Sequence, residues 1–209
     1  MNAITKRIAS VVELGLSPPL QVEGFHKRGL HFHRSDDSVL QVVTVQSSQW
    51  NVAGSGRFRI NLGIHFPAVA LVLHGVDPMP KIPKEQYCIL RGAFSVPDLW
   101  WTVDPNTDVR AVADKLSAYW RDNASPWMEK NKSLAEAART LERQLPGLWA
   151  AAAARLVLGE RDEAVRLVKA CIVNLESSRE ANHPANAGLT TKRLREIREW
   201  ASMHQLVIS

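Results

Sequence analysis

The chain has 209 residues, 45% of them hydrophobic, with 26 Lys and Arg against 21 Asp and Glu for a formal net charge of +5. Such a composition excludes wholesale disorder, and a chain this long can fold around its own core without staples. Cys88 and Cys171 stand far apart with no CxxC or Cys-His spacing, which excludes a disulfide scaffold or zinc finger and fits a reducing compartment.

The first predicted element is a short helix in which Ile4, Ile8, Val11 and Val12 recur at helical spacing. Glu13 and Gly15 cut the apolar stretch too short for a signal peptide. The longest apolar run elsewhere, 68–73, falls far short of the roughly 20 residues that span a bilayer. A cytoplasmic protein with no membrane partner is expected. Ser17-Pro18-Pro19 is then expected to break regular structure.

Four strands follow at 25–34, 39–46, 57–66 and 86–94, with 99–103 as a possible fifth. Ser35-Asp36-Asp37-Ser38, the glycine-containing stretch 51–56 and the proline-rich stretch 78–83 connect them. Short connections favour an antiparallel meander. The segment 39–45 is apolar on both faces apart from Gln41 and Thr44, which places it centrally. In 57–66 every even position is large and apolar, while every odd one is basic, polar or glycine. Side chains of a strand switch faces at each step, so Phe58, Ile60, Leu62 and Ile64 should enter a core while their neighbours face outward.

The second half changes period. Val109, Val112, Ala113, Leu116, Tyr119 and Trp120 form one apolar helical stripe, with Thr107 as expected N-cap and Asp108 in the first turn. Ser133-Leu134-Ala135-Glu136 reads as a capping box opening a helix that Pro146-Gly147 ends. Helices at 148–158, closed by Gly159, at 161–177 and at 191–204 complete the chain. Strands first and helices after define an α+β fold: an antiparallel meander of four or five strands with helices packed on one face, then a helical C-terminal extension. The expected division is a sheet domain at 1–131 and a helical extension at 132–209. Gly159-Glu160-Arg161-Asp162-Glu163-Ala164, with Ala152 before it and Cys171 after it, resembles a tetratricopeptide helical hairpin, although a solenoid needs about three such units.

Several segments in order carry a wider resemblance. Gly24-Phe25-His26-Lys27, Val45-Gln46-Ser47 and Phe58-Arg59-Ile60-Asn61-Leu62-Gly63 come first. Cys88-Ile89-Leu90-Arg91-Gly92, Trp100-Trp101 with Asp104, and Pro126-Trp127-Met128-Glu129-Lys130 follow. Over residues 3–131 the chain resembles the bacterial family called domain of unknown function 4304. The resemblance implies a shared α+β fold and a bacterial source, and brings no catalytic or binding residues. Ser17–Leu20 and the tail after Lys132 depart from its pattern.

Chemistry can be sought on the polar strand faces. Residues two apart on a strand point the same way, about 6.5–7 Å apart. His31 and His33 therefore share a face, as do Arg57, Arg59, Asn61 and His65. If pairing brings these faces together, with Arg91, they form a cationic plate whose arginines suit carboxylate or phosphate. The alternative is a solvated face, or one capped by the acidic sides of the helices. His31, His33 and His65 could in principle supply three metal ligands, but no carboxylate is placed to orient the rings, and no metal or other cofactor is expected. GxSxG, P-loop, GxGxxG and HExxH motifs are all absent. Lys192, Arg193, Arg195 and Arg198 suggest nucleic acid, yet Glu196 and Glu199 interrupt the charge. Trp100 and Trp101 are candidate interface aromatics, their rings on opposite sides of an extended segment. The leading expectation is a non-enzymatic protein-binding module with a protein partner, such as an immunity or accessory protein. An anionic-ligand or nucleic-acid binder comes second, and a metal-dependent hydrolase third.

Overall fold

The computed structural model describes residues 3–52, 54–92, 100–181 and 187–208. In chain order these form helices α1 (Ala3–Gly15) and α2 (Ser17–Val22), then strands β1 (His26–Arg28), β2 (His31–Ser35), β3 (Leu40–Ser47) and β4 (Gly56–His65). Helix α3 (Pro67–His74) precedes β5 (Leu90–Gly92) and β6 (Trp101–Val103). The remaining helices are α4 (Val109–Tyr119), α5 (Ser125–Asn131), α6 (Leu134–Glu142), α7 (Leu148–Val157), α8 (Arg161–Ala181) and α9 (Ala187–Met203). A π-helical turn at Trp120–Ala124 joins α4 to α5, and 3₁₀ turns occupy Glu85–Tyr87 and Leu145–Gly147. The chain makes two compact units: residues 1–66 with Pro78–Lys132, and Pro67–Asp77 with Ser133–Ser209.

The first unit is built on an antiparallel meander in the order β1-β2-β3-β4-β5, with β6 pairing β4 on the edge that β5 also uses. β3 lies centrally, as its two apolar faces require. The alternation along β4 buries Phe58, Ile60, Leu62 and Ile64 on its inner side. Each large apolar side chain removed from water contributes about 1.5–3 kcal/mol. Helices α1 and α5 pack on β4, and α1 also packs on α4. Ile4, Ile8, Val11 and Val12 from α1, Leu116 from α4, Trp120 and Met128 fill the layer between. Polar ties hold the helices in register. Gln41 Nε2 donates to the Met128 carbonyl at 2.8 Å, Trp120 Nε1 donates to Glu23 at 2.7 Å, and Arg34 pairs with Glu129.

Several expected elements take a different form. The strand expected at 25–34 is a hairpin, β1 and β2, because Gly29 adopts φ 66° and turns the chain within two residues. Glycine first in a two-residue loop matches the twist of the flanking strands. Pro18 and Pro19 open α2 instead of breaking structure, since proline's fixed φ and missing N–H suit a helix's first turn. The run at 68–73 becomes α3. Of the strand expected at 86–94, only Leu90–Gly92 pairs; Glu85–Tyr87 is a 3₁₀ turn, and positions 93 and 94 lie outside the described residues, as does Leu99. Asp108, not Thr107, caps α4, its carboxylate accepting from Arg110 N and Ala111 N. Thr107 Oγ1 instead accepts from Asp104 N at 2.7 Å. Ser133 stands at the N-cap of α6 without a side-chain cap bond, and Glu136 pairs with Arg139.

The second unit contains α3 and α6–α9. Ala152 and Ala164 are buried, and small side chains there let α7 and α8 pack as a close hairpin. Arg155 is nearly buried and pairs with Glu142 at 2.6 Å and Glu160 at 2.5 Å. Trp200 donates to the Val72 carbonyl at 2.7 Å and meets Trp149 edge-on at 6.1 Å. Among the described residues no helix is long and apolar enough to cross a membrane.

Candidate functional site

Residues directly opposite in an antiparallel ladder share a face. His31 stands opposite Thr44, which stands opposite Asn61. His33 stands opposite Val42, Val42 opposite Gly63, and Gly63 opposite Arg91. Gln46 lies opposite Arg59, and Thr102 opposite Arg57. On the outer edge His26 faces His33 and Arg28 faces His31. The register therefore gathers His31, His33, Arg57, Arg59, Asn61 and Arg91 on the face opposite the Phe58–Ile60–Leu62 core. Arg57 and Arg91 are exposed, and the other four are half-buried.

Hydrogen bonds order the middle of this face. Gln46 Oε1 accepts from Arg59 Nε at 2.9 Å and from Asn61 Nδ2 at 2.8 Å, and Asn61 Nδ2 also reaches Glu85 at 3.3 Å. Trp100, two residues before Thr102, lies on this outer side. The Arg57 and Arg59 guanidinium carbons sit 5.7 and 5.3 Å from its ring centroid. Such cation–π contacts hold a guanidinium in place. Nearer the β1 edge, His31 Nδ1 lies 3.2 Å from Thr44 Oγ1 and the His26 and His33 rings are 6.1 Å apart. Burial lowers the His33 pKa, and the neighbouring His26 and Arg28 lower it further.

Cover increases along β4. Arg57 is exposed, Arg59 and Asn61 are half-buried, and Gly63 and His65 are buried. The 3₁₀ turn lies over Gly63: a Cβ there would stand 2.5 Å from Cys88 Sγ and 3.1 Å from Glu85 Cα. His65 shares the face by parity, opposite Leu40, but it is fully buried and contributes nothing to the open plate. Trp101 turns to the inner side, stacked on Phe58 at 6.4 Å and edge-on to Tyr119 at 5.9 Å, so of the two tryptophans only Trp100 reaches the plate. Among the described residues no three His, Cys, Asp or Glu side chains are grouped to hold a metal ion. Gln46, His26 and Arg28 join the face through cross-strand register, and Glu85 through the 3₁₀ turn over Gly63, so spacing along one strand did not mark them as site residues.

Residues 16–130, more than half of the chain, match the family model described as domain of unknown function (DUF4304), and the chain belongs to that family. No curated protein and no solved structure matches it.

Proposed function

We propose that the first unit is a non-enzymatic protein-binding module whose outer sheet face engages an acidic surface of a partner, in an accessory role that masks that surface. The observation that carries this reading is the shared face of Arg57, Arg59, Asn61 and Arg91, with Trp100 against the first two arginines. Arginine's planar fork pairs well with carboxylates, and arginine and tryptophan are enriched among the residues that dominate binding energy at interfaces. An immunity protein is one form such a module takes; here the charge calls for an acidic partner, not a basic one.

The test is retention on immobilised poly-L-glutamate. Retention should weaken as salt rises and vanish when Arg57→Glu and Arg59→Glu are combined, while far-ultraviolet circular dichroism stays unchanged. Retention on oligothymidylate with none on polyglutamate would transfer the face to nucleic acid.

A further inference from the structure

The hairpin of β1 and β2 carries its own group of basic side chains, at the sheet edge opposite β5 and β6. His26 stands directly across from His33, and Arg28 from His31, so all four leave the sheet on its outer face. The His26 and His33 rings lie 6.1 Å apart. His31 Nδ1 lies 3.2 Å from the hydroxyl of buried Thr44, which fixes that ring and leaves Nε2 as the atom that can meet a ligand. His33 is faced by His26 and Arg28 from β1 and by Val42 from β3, and burial and both basic neighbours oppose its protonation. Lys27 and Arg34 alternate with these residues and turn to the inner side, where Glu13 and Glu129 pair with them. Among the described residues no carboxylate pairs with His26, Arg28, His31 or His33. The inner cations of the hairpin are compensated and the outer ones are not.

We propose that His26, Arg28, His31 and His33 form a binding site for a phosphate monoester, separate from the Arg57 contact on β4. A phosphate monoester carries close to two negative charges near neutral pH and presents three strong acceptor oxygens. A guanidinium fork can take two of those oxygens, and an imidazole N–H can donate to the third. A carboxylate brings two oxygens and one charge, so it occupies the fork and leaves the imidazoles unmet. A metal ion is a poorer occupant, because Arg28 repels it and no three ligating side chains are grouped among the described residues. His26 and Arg28 are exposed, so the ligand enters from solvent, while His31 and His33 are half-buried and make the floor. Hydrogen bonds to a charged group are stronger on such a partly desolvated floor than in open water.

Proton NMR of the histidine rings in the full chain, titrated with glycerol phosphate at constant ionic strength, tests the site. The His26, His31 and His33 resonances, each assigned with its His→Gln variant, should move together and saturate at millimolar ligand. The bound dianion favours the charged ring, so the His33 pKa should rise toward its ordinary value. Arg28→Gln and His33→Gln each remove a bond to the charged group and should weaken binding about tenfold or more. Circular dichroism of each variant reports folding. A phosphoserine peptide titrated alongside distinguishes the source: tighter binding than glycerol phosphate supports a phosphorylated protein segment, and equal binding supports a free small phosphomonoester. Ring shifts reproduced by sodium chloride at the same ionic strength, or unaffected by Arg28→Gln, would overturn the site. Tighter binding of oligothymidylate, whose phosphodiesters carry one charge each, would overturn the monoester assignment. Retention on polyglutamate is read through Arg57 and Arg59, so the acidic-partner reading and this one fail separately.

Discussion

Phe58 and Arg57 are neighbours in the chain with opposite consequences for the molecule. Phe58 is fully buried beneath the sheet, so Phe58→Ala removes a large contact and leaves a cavity. Urea denaturation should show a loss of about 3–5 kcal/mol. Arg57→Ala, on the exposed side, should stay within about 0.5 kcal/mol of the parent protein. A second residue-scale expectation concerns His33, whose pKa lies below its ordinary value through burial and the charges of His26 and Arg28. The unfolded chain takes up that proton first. The stabilisation is therefore fully present above about pH 6.5 and is lost as pH falls through the lower folded-state pKa. His33→Gln should flatten the loss of melting temperature on acidification across that window. An acidic partner on the same face favours the protonated ring, so complex formation should strengthen over the same fall in pH. At this scale, strand alternation made the orientation of Arg57, Arg59 and Asn61 legible. It did not reveal His65's burial, because alternation specifies a face and says nothing of what lies over it.

At the scale of elements, the close contact at Gly63 controls how far the plate extends. Gly63→Val places side-chain atoms where Cys88 and Glu85 now sit, so the 3₁₀ turn must move off the sheet. The buried Cys88 thiol should then react faster with a thiol reagent, and the protein should melt at lower temperature. Asp108→Ala removes the carboxylate that accepts from two amides at the start of α4 and should cost about 1 kcal/mol. Thr107→Ala should leave those cap bonds in place, since its hydroxyl bonds Asp104 instead. The meander and most helices were readable from period-two and helical patterns. The elements that differed are those decided by a single torsion or by packing. One glycine at positive φ split the expected first strand, while two prolines that read as a break begin a helix. The apolar run that became α3 shows no clear face, and a short run of that kind serves as strand or helix according to its surroundings.

For the whole molecule, the change from strand to helical patterning near Val109 was visible in the chain. The assignment of Pro67–Asp77 to the unit otherwise formed by Ser133–Ser209 was not. That segment leaves the sheet unit after β4 and belongs with α7 and α9, a long-range association that Trp200 and His204 make by hydrogen bonding to the Val72 carbonyl. The cationic face has the same character: spacing along each strand showed which side chains travel together, and only pairing between strands could unite them. Its candidate role was thus partly legible, while the places of Gln46 and His26 came from tertiary structure.

The central claim is that the sheet's outer side receives an acidic protein segment. Amide chemical-shift mapping of isotope-labelled protein, titrated with a short polyglutamate peptide, tests it most directly. Shifts should concentrate at Gln46, Arg57, Arg59, Asn61 and Arg91, and disappear when both Arg57 and Arg59 are changed to Gln. Shifts confined to α6–α9, or a saturable shift pattern that leaves β3 and β4 untouched, would contradict the account.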